Sequence, residues 1–245
     1  MKKLTLLLSL ALSPVMLIAD HHASTTANYG MAYQFAVTNP AAVVGSMQSF
    51  MNSETGKNRP VGVSLVQIIS NGASKATHQI NVFYPSLDAI EENAARNAQS
   101  VDWAQYMNTM RESAERVSEN MFSVQMSKVN QDVANQPGST SMLTMVKVTD
   151  PSTYMKAMKK MMSSEAAAAF PGAIYVGQII GGGENPATHW VNLVAADMAS
   201  LISANQTMMQ SGDFAQYRTS VASAREVVSQ SLQRVALTFT PTVEN

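Results

Sequence analysis

The 4 histidines are the residues of this sequence best suited to bind a metal or to transfer a proton near neutral pH. His78 and His189 each open a short segment in which apolar and polar residues alternate. In a strand, this alternation places His78 on the face of Ile80 and Val82. If that face lines the space between two sheets, the two imidazoles can approach one site and ligate a transition metal or haem iron. The alternative is that both are hydrogen-bonded structural or surface residues, since no Asp or Glu stands near either one to complete a metal site.

The other two histidines belong to the segment Asp20-His21-His22. If the chain is cut after Ala19, this segment becomes a new N-terminus with histidine in third position. A free amine so placed can surround Cu(II) with nitrogen ligands in the square-planar geometry that this ion prefers. The sequence therefore predicts a copper site on condition of that cut, and an unstructured leader otherwise.

Aromatic and amide side chains form a further set of candidates for binding a small organic ligand. The amides can face a cavity or solvent, and the aromatic pairs, spaced i and i+3, can wall a ligand site or pack a helix onto its sheet. These candidates are Gln67, Gln178, Asn81, Asn192, Trp103, Tyr106, Phe214 and Tyr217.

These candidates recur because the sequence contains an internal repeat. A shift of 111 residues aligns the sequence with itself without a gap, and 27 of the 94 positions from Met31 to Val124 are then identical. Chance would give about six. The matches include Ala76-Thr77-His78 with Ala187-Thr188-His189. Duplication of one domain is the economical explanation.

Each copy predicts the same order of elements. In the first copy, strands are expected over 31–37, 63–69, 79–84 and 122–129, and helices over 41–54, 87–98 and from Asp102 to about Asn120. Pro40 and Pro151 are expected to begin helices capped by Asn39 and Asp150. In the second copy the last strand is expected over 234–240. The order β-α-β-β-αα-β is the split βαβ, or ferredoxin-like, pattern, in an α+β fold.

Two such sheets with helices on one face can bury their bare faces against one another. The order of elements, with last helices that open on Asp102-Trp103-Ala104-Gln105-Tyr106 and Asp213-Phe214-Ala215-Gln216-Tyr217, resembles the dimeric α/β-barrel superfamily. That superfamily includes antibiotic-biosynthesis-type monooxygenases and NIPSNAP-like proteins. The resemblance implies a pseudo-dimeric α/β barrel made of tandem ferredoxin-like repeats. Haem-binding members of the chlorite-dismutase type also hold two such repeats, but their haem surroundings have no match here.

The N-terminus predicts export. Lys2 and Lys3 precede a short apolar run that ends at Ala19, which is typical of a cleaved secretory signal. The expected organisation is a signal peptide over 1–19, a flexible leader over 20–28, repeat 1 over 29–130, a linker over 131–140 and repeat 2 over 141–241. A periplasmic or secreted location follows, with no membrane attachment after cleavage.

Composition narrows the function classes. The formal net charge of −1 excludes a general nucleic-acid binder, and the lack of cysteine excludes disulfides and thiol chemistry. The methionines Met47, Met51, Met155, Met158 and Met162 follow helical spacing, so they are expected in the core rather than on copper. We expect an exported small-ligand-binding or stress-related module, with homo-oligomers through free sheet edges. The alternative is a monooxygenase-like or haem-handling enzyme with its site between the repeats.

Overall fold

The computed structural model describes residues 28–134, 136–182 and 186–241. These residues form eight strands and eight helices, in the same order β-α-α-β-β-α-α-β in each repeat. The strands are β1 (Tyr29–Val37), β2 (Gly62–Ser70), β3 (His78–Tyr84), β4 (Ala114–Lys128), β5 (Thr140–Val148), β6 (Ala173–Gly182), β7 (His189–Ala195) and β8 (Arg225–Phe239). The helices are α1 (Pro40–Asn52), α2 (Glu54–Lys57), α3 (Asp88–Ala98), α4 (Val101–Ser113), α5 (Pro151–Met162), α6 (Glu165–Ala169), α7 (Met198–Gln210) and α8 (Gly212–Ser220).

The strands form one closed antiparallel barrel in the order β1-β3-β2-β8-β5-β7-β6-β4. This confirms the predicted pseudo-dimeric α/β barrel of two ferredoxin-like repeats, in which the two sheets join edge to edge, β2 to β8 and β4 to β6. Their bare faces therefore become the inner wall of a barrel. Each strand has a hydrogen-bonded neighbour on both sides, so edge pairing, the expected route to homo-oligomers, is already used within the chain.

Each repeat keeps its main hydrophobic core on the outside of the barrel, between the sheet and its helices. Met47 and Phe50 of α1 pack with Leu65 and Ile80 in repeat 1, and Met158 of α5 occupies the corresponding core of repeat 2. The methionine stripes are thus buried or partly buried core, as their spacing predicts.

The predicted helix starts are confirmed where proline and a short polar cap coincide. Asn39 Oδ1 accepts a hydrogen bond from Ala42 N (3.2 Å), and Asp150 Oδ1 accepts one from Thr153 N (3.1 Å). The start of α4 differs from the helix predicted to begin at Asp102, because Ser100 Oγ caps it by accepting from Trp103 N (3.1 Å) and Asp102 lies in the first turn.

The last strand of each repeat is much longer than its sequence predicts. The helix expected to reach Asn120 ends at Ser113, and β4 and β8 are both 15 residues long. The first part of β4 pairs with β1 and its second part with β6 of the other repeat. Pairing with two strands in succession stabilises an extended backbone over residues whose composition alone favours a helix.

Charged side chains also tie the two repeats together. Lys128, at the end of β4, donates from Nζ to the carbonyl oxygens of Ala167 (2.6 Å) and Phe170 (2.8 Å) beside α6. Arg59 of repeat 1 donates from Nη2 to Thr240 O (2.7 Å) after β8. Each repeat is therefore tied to the far end of the other's long strand.

No helix in the described part of the chain is long and apolar enough to span a membrane.

Candidate functional site

The inner faces of the strands enclose a cavity of about 830 Å³. This volume lies in the range of small-molecule sites, about 300–1,000 Å³. Because side chains alternate along a strand, every second residue of each strand projects into this space. Among the described residues that line the cavity, none is Asp, Glu, Lys, Arg or His. The described part of the lining is therefore uncharged and offers amide, hydroxyl and aromatic groups to a ligand.

One half of the lining is polar and belongs to β1, β3, β2 and β8; we call it the polar wall. Its members are Gln34, Ser64, Gln79, Asn81, Ser231 and Gln233. A chain of hydrogen bonds runs along it from Gln34 Nε2 to Gln79 Oε1 (3.0 Å) and from Gln79 Nε2 to Asn81 Oδ1 (2.7 Å). Asn81 Nδ2 then donates to Ser64 Oγ (3.3 Å). These amides thus hold one another in place and keep a fixed polar surface.

The opposite half, on β4, β6, β7 and β5, is largely apolar; we call it the aromatic wall. Its members are Phe122, Leu143, Met145, Tyr175, Ile179, Trp190 and Asn192. The rings of Phe122 and Trp190 meet edge to face, with centroids 5.2 Å apart. Burial raises the pKa of Tyr175, so its phenol stays neutral at physiological pH.

Two glycines allow these rings to lie against the sheet. Gly30 is paired with Phe122 and Gly177 with Trp190 on adjacent strands. A Cβ at Gly30 would overlap the Phe122 ring, and a Cβ at Gly177 would overlap both the Trp190 ring and Ser123 O. Glycine at these two positions therefore lets each ring cover a neighbouring strand instead of filling the cavity.

The aromatic wall contains two buried polar atoms without a hydrogen-bond partner among the described residues, Trp190 Nε1 and Asn192 Oδ1. Asn81, the residue equivalent to Asn192 in repeat 1, has both an acceptor and a donor bond. A buried donor or acceptor left unpaired costs about 1–3 kcal/mol. Both residues line the cavity, so a ligand that reaches these two atoms would supply the hydrogen bonds they lack.

The histidine pair does not face this cavity. His78 and His189 share a strand face with Ile80 and Val191, as predicted, but that face is turned towards the helices. The ring of His189 packs on Tyr154 of α5, with centroids 5.3 Å apart. Since β3 and β7 lie on opposite sides of the barrel, the fold does not bring the two imidazoles to one site.

Both histidines instead belong to a repeated hydrogen-bonded junction at one end of the barrel. Thr77 Oγ1 lies 3.0 Å from His78 Nδ1 and accepts from Val37 N (2.9 Å). Thr188 Oγ1 lies 2.9 Å from His189 Nδ1 and in the same way accepts from the backbone at the end of β5. Burial lowers the pKa of both histidines. These features fit the structural alternative given for them above.

The other sequence candidates divide between the two faces of the barrel. Asn81 and Asn192 line the cavity. Gln67 and Gln178 pair with His78 and His189 on the outer face, where both are exposed. The aromatic pairs pack within the outer cores, and their members are Trp103, Tyr106, Phe214 and Tyr217.

Four cavity residues were not among the sequence candidates: Gln34, Gln79, Phe122 and Trp190. The signal was present in the alternation of β3, because Gln79 and Asn81 share the face opposite Ile80. That face was not recognised as the interior, because polar residues on a strand ordinarily indicate solvent.

A metal centre has little support among the described residues. No group of three or more His, Asp or Glu side chains could hold an ion there. The copper segment predicted at Asp20, His21 and His22 lies outside the described residues.

Solved structures show the same fold. A proposed monooxygenase from Fusobacterium nucleatum has a TM-score of 0.59 and 14% identity, over 88% of this chain and 95% of its own. An anthrone oxidase-like protein has a TM-score of 0.53 and 10% identity, over 86% and 94%. A haem-binding protein from Thermus thermophilus has a TM-score of 0.50 and 11% identity, over 85% and 91%. These likenesses show the fold alone, an eight-stranded pseudo-dimeric α/β barrel. Neither protein-family models nor curated protein sequences gave a match to this chain.

Haem, bound by one of these neighbours, does not suit the cavity lining. Its described residues include no imidazole to ligate the iron and no Arg or Lys to pair with the propionates. Met145 and Tyr175 are the lining side chains with an atom able to ligate iron. The described lining residues thus favour an uncharged organic molecule over haem.

Proposed function

We propose that this protein binds a neutral, largely planar organic molecule inside the barrel. The observation that carries the proposal is the uncharged cavity with one polar and one aromatic wall. A flat apolar ring system can stack on Trp190 and Phe122, while its polar edge meets the amides of Gln79 and Asn81.

Charge is the main basis of selectivity in this proposal. An anionic ligand would lose its hydration on entering, and the described residues of the lining include no cation to compensate. A neutral ligand loses far less and retains hydrogen bonds to the amides. The protein should therefore discriminate strongly between two molecules that differ only by an ionised group.

N-phenyl-1-naphthylamine and 1-anilinonaphthalene-8-sulfonate provide that comparison, because they share the same rings and differ by a sulfonate. A Trp103→Phe variant leaves Trp190 as the single tryptophan and hence as the reporter. We expect the neutral probe to quench Trp190 and to bind at least about tenfold tighter than the sulfonate.

A variant with a partly filled cavity tests whether the neutral probe binds inside the barrel. Ser64→Tyr introduces the residue that repeat 2 carries at the equivalent position, Tyr175, and should reduce binding of the neutral probe while the protein remains folded by circular dichroism. Equal binding of both probes, or neutral-probe binding unaffected by Ser64→Tyr, would overturn the proposal. Tight haemin binding that displaces the neutral probe would replace it with a haem-handling role.

We also propose that the protein acts after export. Lys2 and Lys3, the apolar run and Ala19 support this, and intact mass spectrometry of protein released from the periplasm of an expressing Gram-negative bacterium tests it. A chain beginning at Asp20 is expected, and the same sample with added Cu(II) tests the terminal copper site. A chain retaining residues 1–19 would contradict both the proposed cleavage on export and the terminal copper site.

Oxygenation of a bound aromatic ketone is the second candidate function. The fold is shared with proteins named as monooxygenase and anthrone oxidase-like, and Trp190 Nε1 is a donor that could polarise a ketone oxygen. With anthrone, one oxygen atom of O₂ would replace the two hydrogens of the methylene carbon and the other would leave as water, giving anthraquinone. An oxygen electrode distinguishes the candidates. Binding alone predicts the uncatalysed rate, whereas an increase lost in Trp190→Phe would establish the enzyme.

A further inference from the structure

The two orphaned atoms of the aromatic wall restrict the ligand further than the shape of the cavity does. Trp190 Nε1 can only donate a hydrogen bond and Asn192 Oδ1 can only accept one. Both residues project from the same face of β7, two positions apart. Their Cα atoms are about one two-residue strand repeat apart, roughly 7 Å, so the two side chains are neighbours on the same wall.

We infer that Trp190 and Asn192 together recognise a ligand group that contains an acceptor next to a donor, as in a cyclic amide. This inference rests on the proposed function, since it requires a neutral ring system in the cavity. The lactam carbonyl accepts from Trp190 Nε1, and the lactam N–H donates to Asn192 Oδ1. The rings then extend along the wall past Phe122.

The contrast between the two repeats supports this assignment. Asn81 occupies the equivalent position of repeat 1 and is held by Gln79 and Ser64. Its neighbour two positions earlier is Gln79, whose amide bonds to Gln34. The same strand face is therefore satisfied within the protein in repeat 1 and unsatisfied in repeat 2.

Ligand binding requires a small movement of both Trp190 and Asn192. In the present arrangement both orphaned atoms are shielded from solvent. The terminal torsion of an asparagine side chain has a broad energy well, so the amide can turn towards the cavity at little cost. The ligand then satisfies the unpaired Asn192 Oδ1, and this gain favours the turned side chain when ligand is present.

Three planar compounds of nearly equal size test the inference by isothermal titration calorimetry. 2-Quinolone has both the carbonyl and the N–H, N-methyl-2-quinolone has only the carbonyl, and naphthalene has neither. We expect affinity to fall about tenfold at each step, which is the effect of about one hydrogen bond. Asn192→Leu should bring 2-quinolone to the affinity of its N-methyl derivative, and Trp190→Phe should weaken both carbonyl compounds.

Gln67→Leu is the control, because it replaces an amide by leucine on the outer face of the same barrel. It should leave the affinity ratio of the two quinolones unchanged. Equal affinity for the two quinolones, or a ratio that survives Asn192→Leu, would overturn the inference. If N-phenyl-1-naphthylamine still binds in that case, the proposed function stands without it. If no neutral probe binds, the proposed function fails as well.

Discussion

The two repeats present the same chemistry to their helices and opposite chemistry to the barrel interior. On the outer face, Met47 and Met158 are equivalent core residues, and His78 and His189 occupy the same junction. On the inner face, Gln79 of repeat 1 stands where repeat 2 has Trp190. The outer face must pack against helices in both repeats, so its residues are alike. The inner face has no such constraint, and its residues differ enough to give the cavity two unlike walls.

The size of the paired residues shows the same divergence. In repeat 1 Val66 is paired with Gln79, and at the equivalent place in repeat 2 Gly177 is paired with Trp190. From repeat 1 to repeat 2, one residue of the pair becomes smaller, from Val66 to Gly177, and the other becomes larger, from Gln79 to Trp190. Each wall is therefore built from cross-strand pairs of matched volume.

Gly177→Val should break this match with the largest effect of the changes considered. The new side chain overlaps the Trp190 ring and Ser123 O, so we expect a loss of about 3 kcal/mol or more in the free energy of unfolding. Urea unfolding followed by circular dichroism measures it.

Adding Trp190→Gln to Gly177→Val reproduces the size relation of repeat 1 and should recover at least about 1 kcal/mol of that loss. Gly45→Ala, in an exposed turn of α1 with open space around its Cβ, is the control and should be neutral or stabilising. A stability for Gly177→Val close to that of the unsubstituted protein would show that the two rings do not need the glycine.

Amide-to-leucine changes sharpen the comparison between the walls. Gln79→Leu removes a donor and an acceptor from the polar chain, so it should destabilise the protein by about 2 kcal/mol. Asn192→Leu removes an acceptor that has no partner among the described residues, so it should leave the free energy of unfolding unchanged or raise it by about 1 kcal/mol. Chemical unfolding of both variants checks this, and equal losses would contradict the asymmetry of the walls.

The smallest expected effect is a pH dependence shared by both repeats. Burial lowers the pKa of His78 and His189 below the ordinary value of 6.5, so the unfolded chain binds protons more readily than the folded one. Stability should therefore fall as the pH drops below about 6.5. Thermal unfolding between pH 7.5 and 5.5 measures how steeply stability changes with pH, and His189→Gln should reduce that dependence. An unchanged dependence in this variant would show that other groups cause it.

The repeat and most of its elements could be predicted because the 111-residue shift and the alternating segments depend on local sequence. The orientation of β3 could not be predicted. His78-Ile80-Val82 and Gln79-Asn81 are both compatible with either face of the barrel, and only the position of the helices decides between them. The interior of a barrel with a polar wall therefore has the composition of a solvent-exposed face.

The lengths of β4 and β8 were unpredictable for a different reason. Residues 114–120 of β4 are rich in charged and helix-favouring side chains, and their extended conformation comes from pairing with β1. Likewise, the orphaned state of Asn192 depends on its cross-strand partner Tyr175, which stands where repeat 1 has Ser64, and no local pattern of β7 reveals that pairing.

The long strands also determine how the chain reaches its folded state. Since β4 closes one seam of the barrel and β8 the other, neither half can complete its hydrogen bonding before the other half is made. Folding should consequently be a single slow event dominated by contacts distant in sequence. A chain severed in the linker should yield two fragments that recover the barrel only when mixed, each lending its last strand to the other.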